Sequence, residues 1–459
     1  MPWNHYYSKL ENLLFKQVSA ASLSVFRIFF GVICFFETRR LATEIDGNSL
    51  NDIVSFEVLF KYYFFEWVNL LPQHWLVAII VMMKVAAVLI VIGFLYRIAI
   101  LLYLLGYLYF FLVDMSHYNN HYYLLILFLG FMLVVDADKL FSIKNFFKRK
   151  KTYTIPNWQL VLFKFQVVWV YFCAGLVKLN YDWLSGWTMR TAIFKGADFA
   201  DNPFFHSMFF VYFYSWSGLI FDLCIGFLLL FKRTRLLAII AIISFHLINA
   251  QTLSIGIFPF LMIWVSILFF QPNWPIDLWN RIVNKKIDAN IENTASKKVF
   301  TANKWIVGGI GVYFLVQLFL PVRHHFIKGN VDWTGEGVMF AWRMKSAGRS
   351  GMEGRYNIYL YDKITNNEID ASIRLSDRQR KFILYKPILV LQIRDHLLKK
   401  LGRDKEDVRM ELDIVCSINS SVYAPLFYRH INICDYELRY LKHNQFITPY
   451  PSNKKIYTK

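Results

Sequence analysis

Apolar residues gather in nine long runs, at about 20–38, 74–95, 97–115, 121–136, 159–178, 210–231, 235–252, 254–270 and 304–321. A helix that crosses a bilayer needs about 20 mainly apolar residues. The runs predict an α-helical integral membrane protein with about nine transmembrane helices. Between 235 and 270 the apolar character is nearly continuous, broken by Asn249-Ala250-Gln251-Thr252-Leu253-Ser254. Two spans joined by a turn fit this stretch. So does a pair of half-helices facing a cavity, where membrane proteins admit irregular backbone.

From about residue 323 the pattern changes. Tyr356-Asn-Ile-Tyr-Leu-Tyr-Asp, followed by Thr365-Asn-Asn-Glu, reads as a strand and a hairpin turn. Leu389, Ile393, Leu397 and Leu401 recur at helical spacing and predict an amphipathic helix over 387–401. Residues 409–418 suit a further strand. The expected division is a multi-pass transmembrane domain over 1–322, carrying the site, and a small α/β extramembrane domain over 323–459.

Loop charge gives the orientation, because cytoplasmic loops collect Lys and Arg. Lys139, Lys144, Lys148, Arg149, Lys150 and Lys151 form one basic loop. Lys232, Arg233 and Arg235 form a second, and Arg281, Lys285, Lys286, Lys297 and Lys298 a third. Residues 41–66 carry Glu44, Asp46, Asp52, Glu57 and Glu66. A cytoplasmic N-terminus puts the basic loops on one side and the acidic loop on the other. The C-terminal domain then lies outside the cytoplasm. The first 18 residues, with Trp3, His5, Glu11 and Lys16, lack the apolar core of a cleavable signal.

Composition agrees: 56% of the 459 residues are hydrophobic and only 18% charged, outside the range of an average soluble domain. The net charge of +19 raises nucleic-acid binding, but basic cytoplasmic loops account for it; no nucleic-acid partner is expected. Short loops rich in Lys and Asn suggest a bacterial inner membrane. The five cysteines show no CxxC spacing, so no metal site is expected. Cys416 and Cys434 would pair only in an oxidising compartment.

Ionisable groups at membrane depth are costly and therefore point to function. Lys178 ends the fifth run, in Ala174-Gly175-Leu-Val-Lys178-Leu. It is either a lysine reaching to the interface or a desolvated amine acting as a general base. Asn119-Asn120-His121 opens the fourth run, as a helix cap or as part of a site. His246 is either a core histidine or, with Asn249 and Gln251, the edge of a polar pocket. Lys84 stands in the second run with no role to assign.

These segments resemble the vitamin K-dependent gamma-glutamyl carboxylase family. Ala174-Gly175-Leu-Val-Lys178-Leu, with Asp182-Trp183 and Gly186, resembles its lysine motif. Asn119-Asn120-His121-Tyr-Tyr-Leu resembles its Asn-Asn-His motif. Phe245-His246-Leu-Ile-Asn249-Ala-Gln251-Thr-Leu-Ser254-Ile-Gly256 is similar to a third block, and Gln317-Leu-Phe-Leu-Pro321 with His324, Gly329 and Trp333 to a fourth. The similarity runs from about 20 to about 425. Where the animal enzymes carry a second lysine, this chain has Val177.

The resemblance implies reduced vitamin K (phylloquinol or menaquinol), O2 and CO2 as cofactors. It implies a lipid quinol and a glutamate-containing peptide or protein as partners, with membrane lipids around the helices. Lys178 matches the lysine that deprotonates reduced vitamin K. The oxygenated quinol then serves as the base that removes a γ-proton from glutamate. CO2 adds to the carbanion, leaving γ-carboxyglutamate and vitamin K epoxide. His121 matches the histidine assigned to carboxylation. Asn120, His246, Asn249, Gln251 and His324 are the expected substrate- and quinol-binding residues. The alternatives are a quinol epoxidase without carboxylase activity, and a non-catalytic quinone- or lipid-binding membrane protein.

Overall fold

The computed structural model describes residues 2–43, 56–147, 153–192, 204, 207–252, 256–283, 303–344, 348–419 and 422–451. All nine apolar runs contain helix: α2 (Ala21–Thr43), α3 (Gln73–Ile92), α4 (Tyr96–Val113), α5 (Asn120–Val134), α6 (Trp158–Val177), α7 (Met208–Leu230), α8 (Arg235–Thr252), α9 (Phe258–Ser266) and, after α10 (Trp274–Val283), α11 (Lys304–Val322). Six of them are long and apolar enough to cross a membrane: α2, α3, α4, α6, α7 and α11. The other three, Asn120–Val134, Arg235–Gln251 and Phe258–Phe269, are shorter apolar helices. A helix over Pro2–Phe15 (α1) precedes them. Leu253 and Ser254, in the break between α8 and α9, lie outside the described residues, as do Glu44, Asp46, Asp52, Lys148, Arg149, Lys150, Lys151, Lys285, Lys286, Lys297 and Lys298 of the charged loops.

Local chemistry sets where the helices stop. Gly93 ends α3 at φ +68°, a left-handed position that glycine takes without a steric penalty. The Ser207 hydroxyl accepts from the Phe210 N–H and caps α7. A strand over Gln17–Ser19 (β1) pairs with Thr154–Pro156 (β2), tying the end of α1 to the start of α6.

Two glycines bring α6 and α7 together. A β-carbon at Gly175 would lie 2.8 Å from the backbone nitrogen of Leu223. One at Gly226 would lie 3.0 Å from the Cα of Val168. In lipid, where burial of apolar surface does not drive helices together, such close approach supplies the packing. It also sets Asp222 of α7 beside Lys178, at the end of α6.

The C-terminal region carries the expected strands and helix, with more besides. The sheet order is β4 (Glu368–Ile369), β3 (Arg349–Asp362), β5 (Val408–Ile418) and β6 (Ala424–Pro425), all antiparallel. Two helices, α12 (Asp377–Tyr385) and α13 (Val390–Leu401), pack with it. α12 opens with a capping box between Ser376 and Gln379. Cys416 and Cys434 are both buried and free, so the two are not paired.

This region is not separated from the helices. One apolar core runs from Leu14 to Ile447 and includes residues of both parts. The Gln392 side chain accepts from the Lys61 N–H and donates to the Lys61 carbonyl, each at 2.8 Å. Gln379 donates to the Val58 carbonyl at 2.8 Å, and Arg378 to the Ser116 carbonyl at 2.9 Å. The connections between the helices therefore fix the lower face of the domain.

Candidate active site

A cavity of about 980 Å³ lies between the helices and the domain. Lys178, His121, Asn120, His246 and Asn249 all line it. In the sequence they are spread over 130 residues; packing of α5, α6, α7 and α8 brings them together.

Lys178 is buried, and its ammonium pairs with the equally buried Asp222. The same Nζ lies 4.7 Å from the centre of the Trp183 ring, a cation–π contact. Trp183 is held in turn: its indole N–H donates to the Ser215 carbonyl at 2.8 Å. A lysine reaching to solvent is thus replaced by a lysine closed in on two sides. Asp222 escaped the sequence reading, though it is the one acidic residue in the 210–231 run. A single acid at that depth was itself a signal.

On α8, His246 Nε2 meets the Tyr171 hydroxyl at 2.7 Å, while its buried Nδ1 has no partner among the described residues. The Tyr214 hydroxyl donates to Asn249 Oδ1 at 2.8 Å. Gln251 does not join them. It is exposed and is absent from the cavity wall. Two residues along a helix turn the side chain by about 200°, so His246 and Asn249 share a face that Gln251 cannot.

The Asn119-Asn120-His121 turn opens α5 and borders the cavity. Asn119 occupies the N-cap position of α5 but makes no side-chain cap bond. Asn120 accepts from the Tyr118 hydroxyl at 2.9 Å and donates to the Arg343 carbonyl at 3.0 Å. Its amide therefore fastens the domain to the helices. His121 packs edge-on to Tyr122, with ring centres 4.5 Å apart, and lies 6.1 Å from Phe258. Phe258 is also edge-on to His246 at 5.6 Å, so one ring separates the two histidines.

His324 is not brought to this wall. It sits in a short turn after α11, its ring 4.1 Å from that of His325 and its backbone against Gly337. The domain side of the cavity holds residues the sequence reading did not single out: Arg343, Arg378, Lys381 and Tyr385. Burial pushes the Tyr385 hydroxyl up to about 12 and that of Tyr118 well above the ordinary phenol value, so both are neutral donors.

Phe245, Phe258, Trp183 and Met189 make the membrane side apolar. Beside these apolar side chains stand two polar atoms, the Lys178 Nζ and the His246 Nδ1, the latter with no partner among the described residues.

Residues 15–274 match the HTTM domain, more than half of the chain. Residues 302–453 match the lumenal domain of vitamin K-dependent gamma-carboxylase. The chain belongs to the vitamin K-dependent gamma-carboxylase family. It is a carboxylase-like membrane protein, and the match to a lumenal domain puts its C-terminal part outside the cytoplasm. No solved structure matches it. In this carboxylase-family chain the cavity lies where the two matched domains meet, with walls from both.

Proposed function

We propose that the chain is a vitamin K hydroquinone-dependent peptidyl-glutamate carboxylase and epoxidase. The observation that carries this reading is the meeting of Lys178 and His121, both buried, in one cavity, from two different helices. Its membrane-facing wall suits a lipid quinol. Its domain-facing wall suits a peptide arriving from outside the cytoplasm. The membrane domain spans 1–322 with its N-terminus in the cytoplasm, the domain 323–459 lies outside, and a bacterial inner membrane is the setting.

The γ-proton of glutamate is too weakly acidic for any side-chain base. Reduced vitamin K, oxidised by O2, supplies the driving force that the protein lacks. The protein's part is to start, shelter and direct that chemistry. Lys178 accepts the proton of the quinol hydroxyl. It acts with Asp222 as a unit: the ammonium hands a proton to the paired carboxylate, and the amine so freed takes the one from the quinol. Trp183 and Phe258 keep water from the reacting centre, where a strong base would otherwise be quenched. His121 stands toward the glutamate and assists the addition of CO2. Asn120 keeps His121 and the domain in register, while His246 and Asn249 orient the quinol.

The test is a coupled assay on purified protein with reduced vitamin K, O2, labelled bicarbonate and a glutamate-rich peptide. Epoxide and incorporated label, both lost in Lys178→Ala, support the reading. Epoxide without label from any peptide or outer-face protein reduces the function to epoxidation. Neither product overturns it and leaves a quinone- or lipid-binding protein.

A further inference from the structure

The domain side of the cavity carries more positive charge than the proposed chemistry has used. Arg343, Arg378 and Lys381 line it against a single acid, Asp377. The three differ in how far their charge is committed. Arg378 donates to the Ser116 carbonyl at 2.9 Å and helps hold α12 in place. Lys381 is exposed at the rim. Arg343 is the unusual one, with a side chain only 8% exposed.

A buried guanidinium is stable only when its charge and its N–H groups are matched. Here Nη2 meets both oxygens of Asp332, at 2.7 and 2.9 Å. Among the described residues no acceptor faces the other two nitrogens, and Nε is a buried donor without a partner. The residue is also held in place by its backbone. Its carbonyl accepts from Asn120, the neighbour of His121. Phe340 and Trp342, just before it, both adopt left-handed backbone, at φ +59° and +55°. Left-handed backbone at bulky residues persists only where the surroundings enforce it, and such positions gather at ligand clamps. Phe340 is fixed by its N–H donating to the Tyr118 hydroxyl at 2.5 Å.

We propose that Arg343 is the carboxylate-binding residue of the cavity, with Lys381 at the rim drawing in acidic peptide. The anion is the side-chain carboxylate of the glutamate to be modified. Removing a γ-proton puts a second negative charge next to that carboxylate. A fixed cation in a water-poor site lowers the cost of that charge more than it lowers the cost of binding. Addition of CO2 then leaves two carboxylates on one carbon, which the same cationic wall accommodates. The proposal rests on the carboxylase reading for the identity of the anion, but its binding step can be measured without turnover.

The experiment uses the full chain in nanodiscs and a fluorescent glutamate peptide, with its glutamine twin as reference. A site built on an arginine discriminates between the two, because glutamine brings no negative charge to the guanidinium. The wild type is expected to bind the glutamate peptide at least tenfold more tightly. Arg343→Gln is expected to abolish that preference while leaving glutamine-peptide binding in place. Lys381→Gln, on the exposed face of α12, is expected to weaken the glutamate peptide about threefold. A wild type with no preference overturns the proposal, and so does a folded Arg343→Gln that keeps it. If Arg343→Gln does not fold, Lys381→Gln decides, and unchanged discrimination counts against the subsite. Failure of the carboxylase reading looks different: peptide discrimination is present, but the coupled assay gives neither epoxide nor label.

Discussion

The Lys178 ammonium and the Asp222 carboxylate form a buried ion pair between the end of α6 and the middle of α7. Neither partner has bulk water to fall back on. Removing one leaves the other as an uncompensated buried charge, which costs about 3–5 kcal/mol. Asp222→Asn is expected to lower the thermal midpoint and to cut epoxide formation at least a hundredfold. Lys178→Met/Asp222→Leu, which removes both charges, is expected to recover stability without recovering activity. Thermal unfolding and an epoxide assay on the two variants check this. Full epoxide turnover in Asp222→Asn would separate the acid from the chemistry.

Tyr171 is the one hydrogen-bonding partner of His246 among the described residues. Tyr171→Phe keeps the ring and leaves the imidazole with no bond at either nitrogen. The expected cost is about 1–3 kcal/mol. Because His246 faces the proposed quinol wall, the KM for reduced vitamin K should rise while that for peptide stays put. A rise in the peptide constant alone would place His246 on the wrong side of the cavity.

Asn419 links the lysine motif to the domain. Its side chain donates to Asp182 at 2.8 Å and accepts from the Gly348 N–H at 2.7 Å, and its carbonyl accepts from the Trp187 indole. It does so in left-handed backbone, at φ +48°. Asn419→Ala should destabilise the protein by about 2 kcal/mol or more, because the bonds lost are those of a buried side chain. Asn419→Gly keeps the backbone but not the bonds, so it should be no better. A wild-type midpoint in either variant refutes the link.

Lys386 sets a pH dependence in the domain. Its Nζ is enclosed by the sulfurs of Met115 and Met339, at 3.2 and 2.9 Å, and by the Tyr63 ring. Desolvation, with Arg323 adding to it, lowers this lysine from 10.5 to about 7. Between those values the unfolded chain binds the proton that the folded chain has released. Stability should therefore rise as pH goes from about 7 toward 10.5, with the full penalty present below 7. Lys386→Met should be more stable than the wild type at pH 7 and should flatten that rise. Denaturation of both proteins across this range is the measurement, and parallel curves would rule the lysine out.

Some of this was legible along the chain because the signals are local. A bilayer demands long apolar runs, and every one of the nine proved helical. The alternation around Tyr356 marked β3, and the leucine spacing after 387 marked α13. Lys178 and His121 stood out because polar groups are rare at membrane depth. Helix lengths were less legible. α5 stops short of the end of its run and α9 is about half the length of its own, since capping turns and breaks trim helix from apolar sequence.

The sequence by itself determined the membrane class, the change of character near residue 323 and the motifs that carry the family. Only the tertiary structure decided which polar groups share a cavity. Gln251 lay two residues from Asn249 and turned away, while Asp222 lay 44 residues from Lys178 and became its partner. Arg343 looked like any domain arginine until Asn120 and Asp332 fixed its place. Periodicity fixes the face of one helix. Which faces meet depends on close approach at glycines such as Gly175 and Gly226, and on long-range bonds that no local pattern encodes.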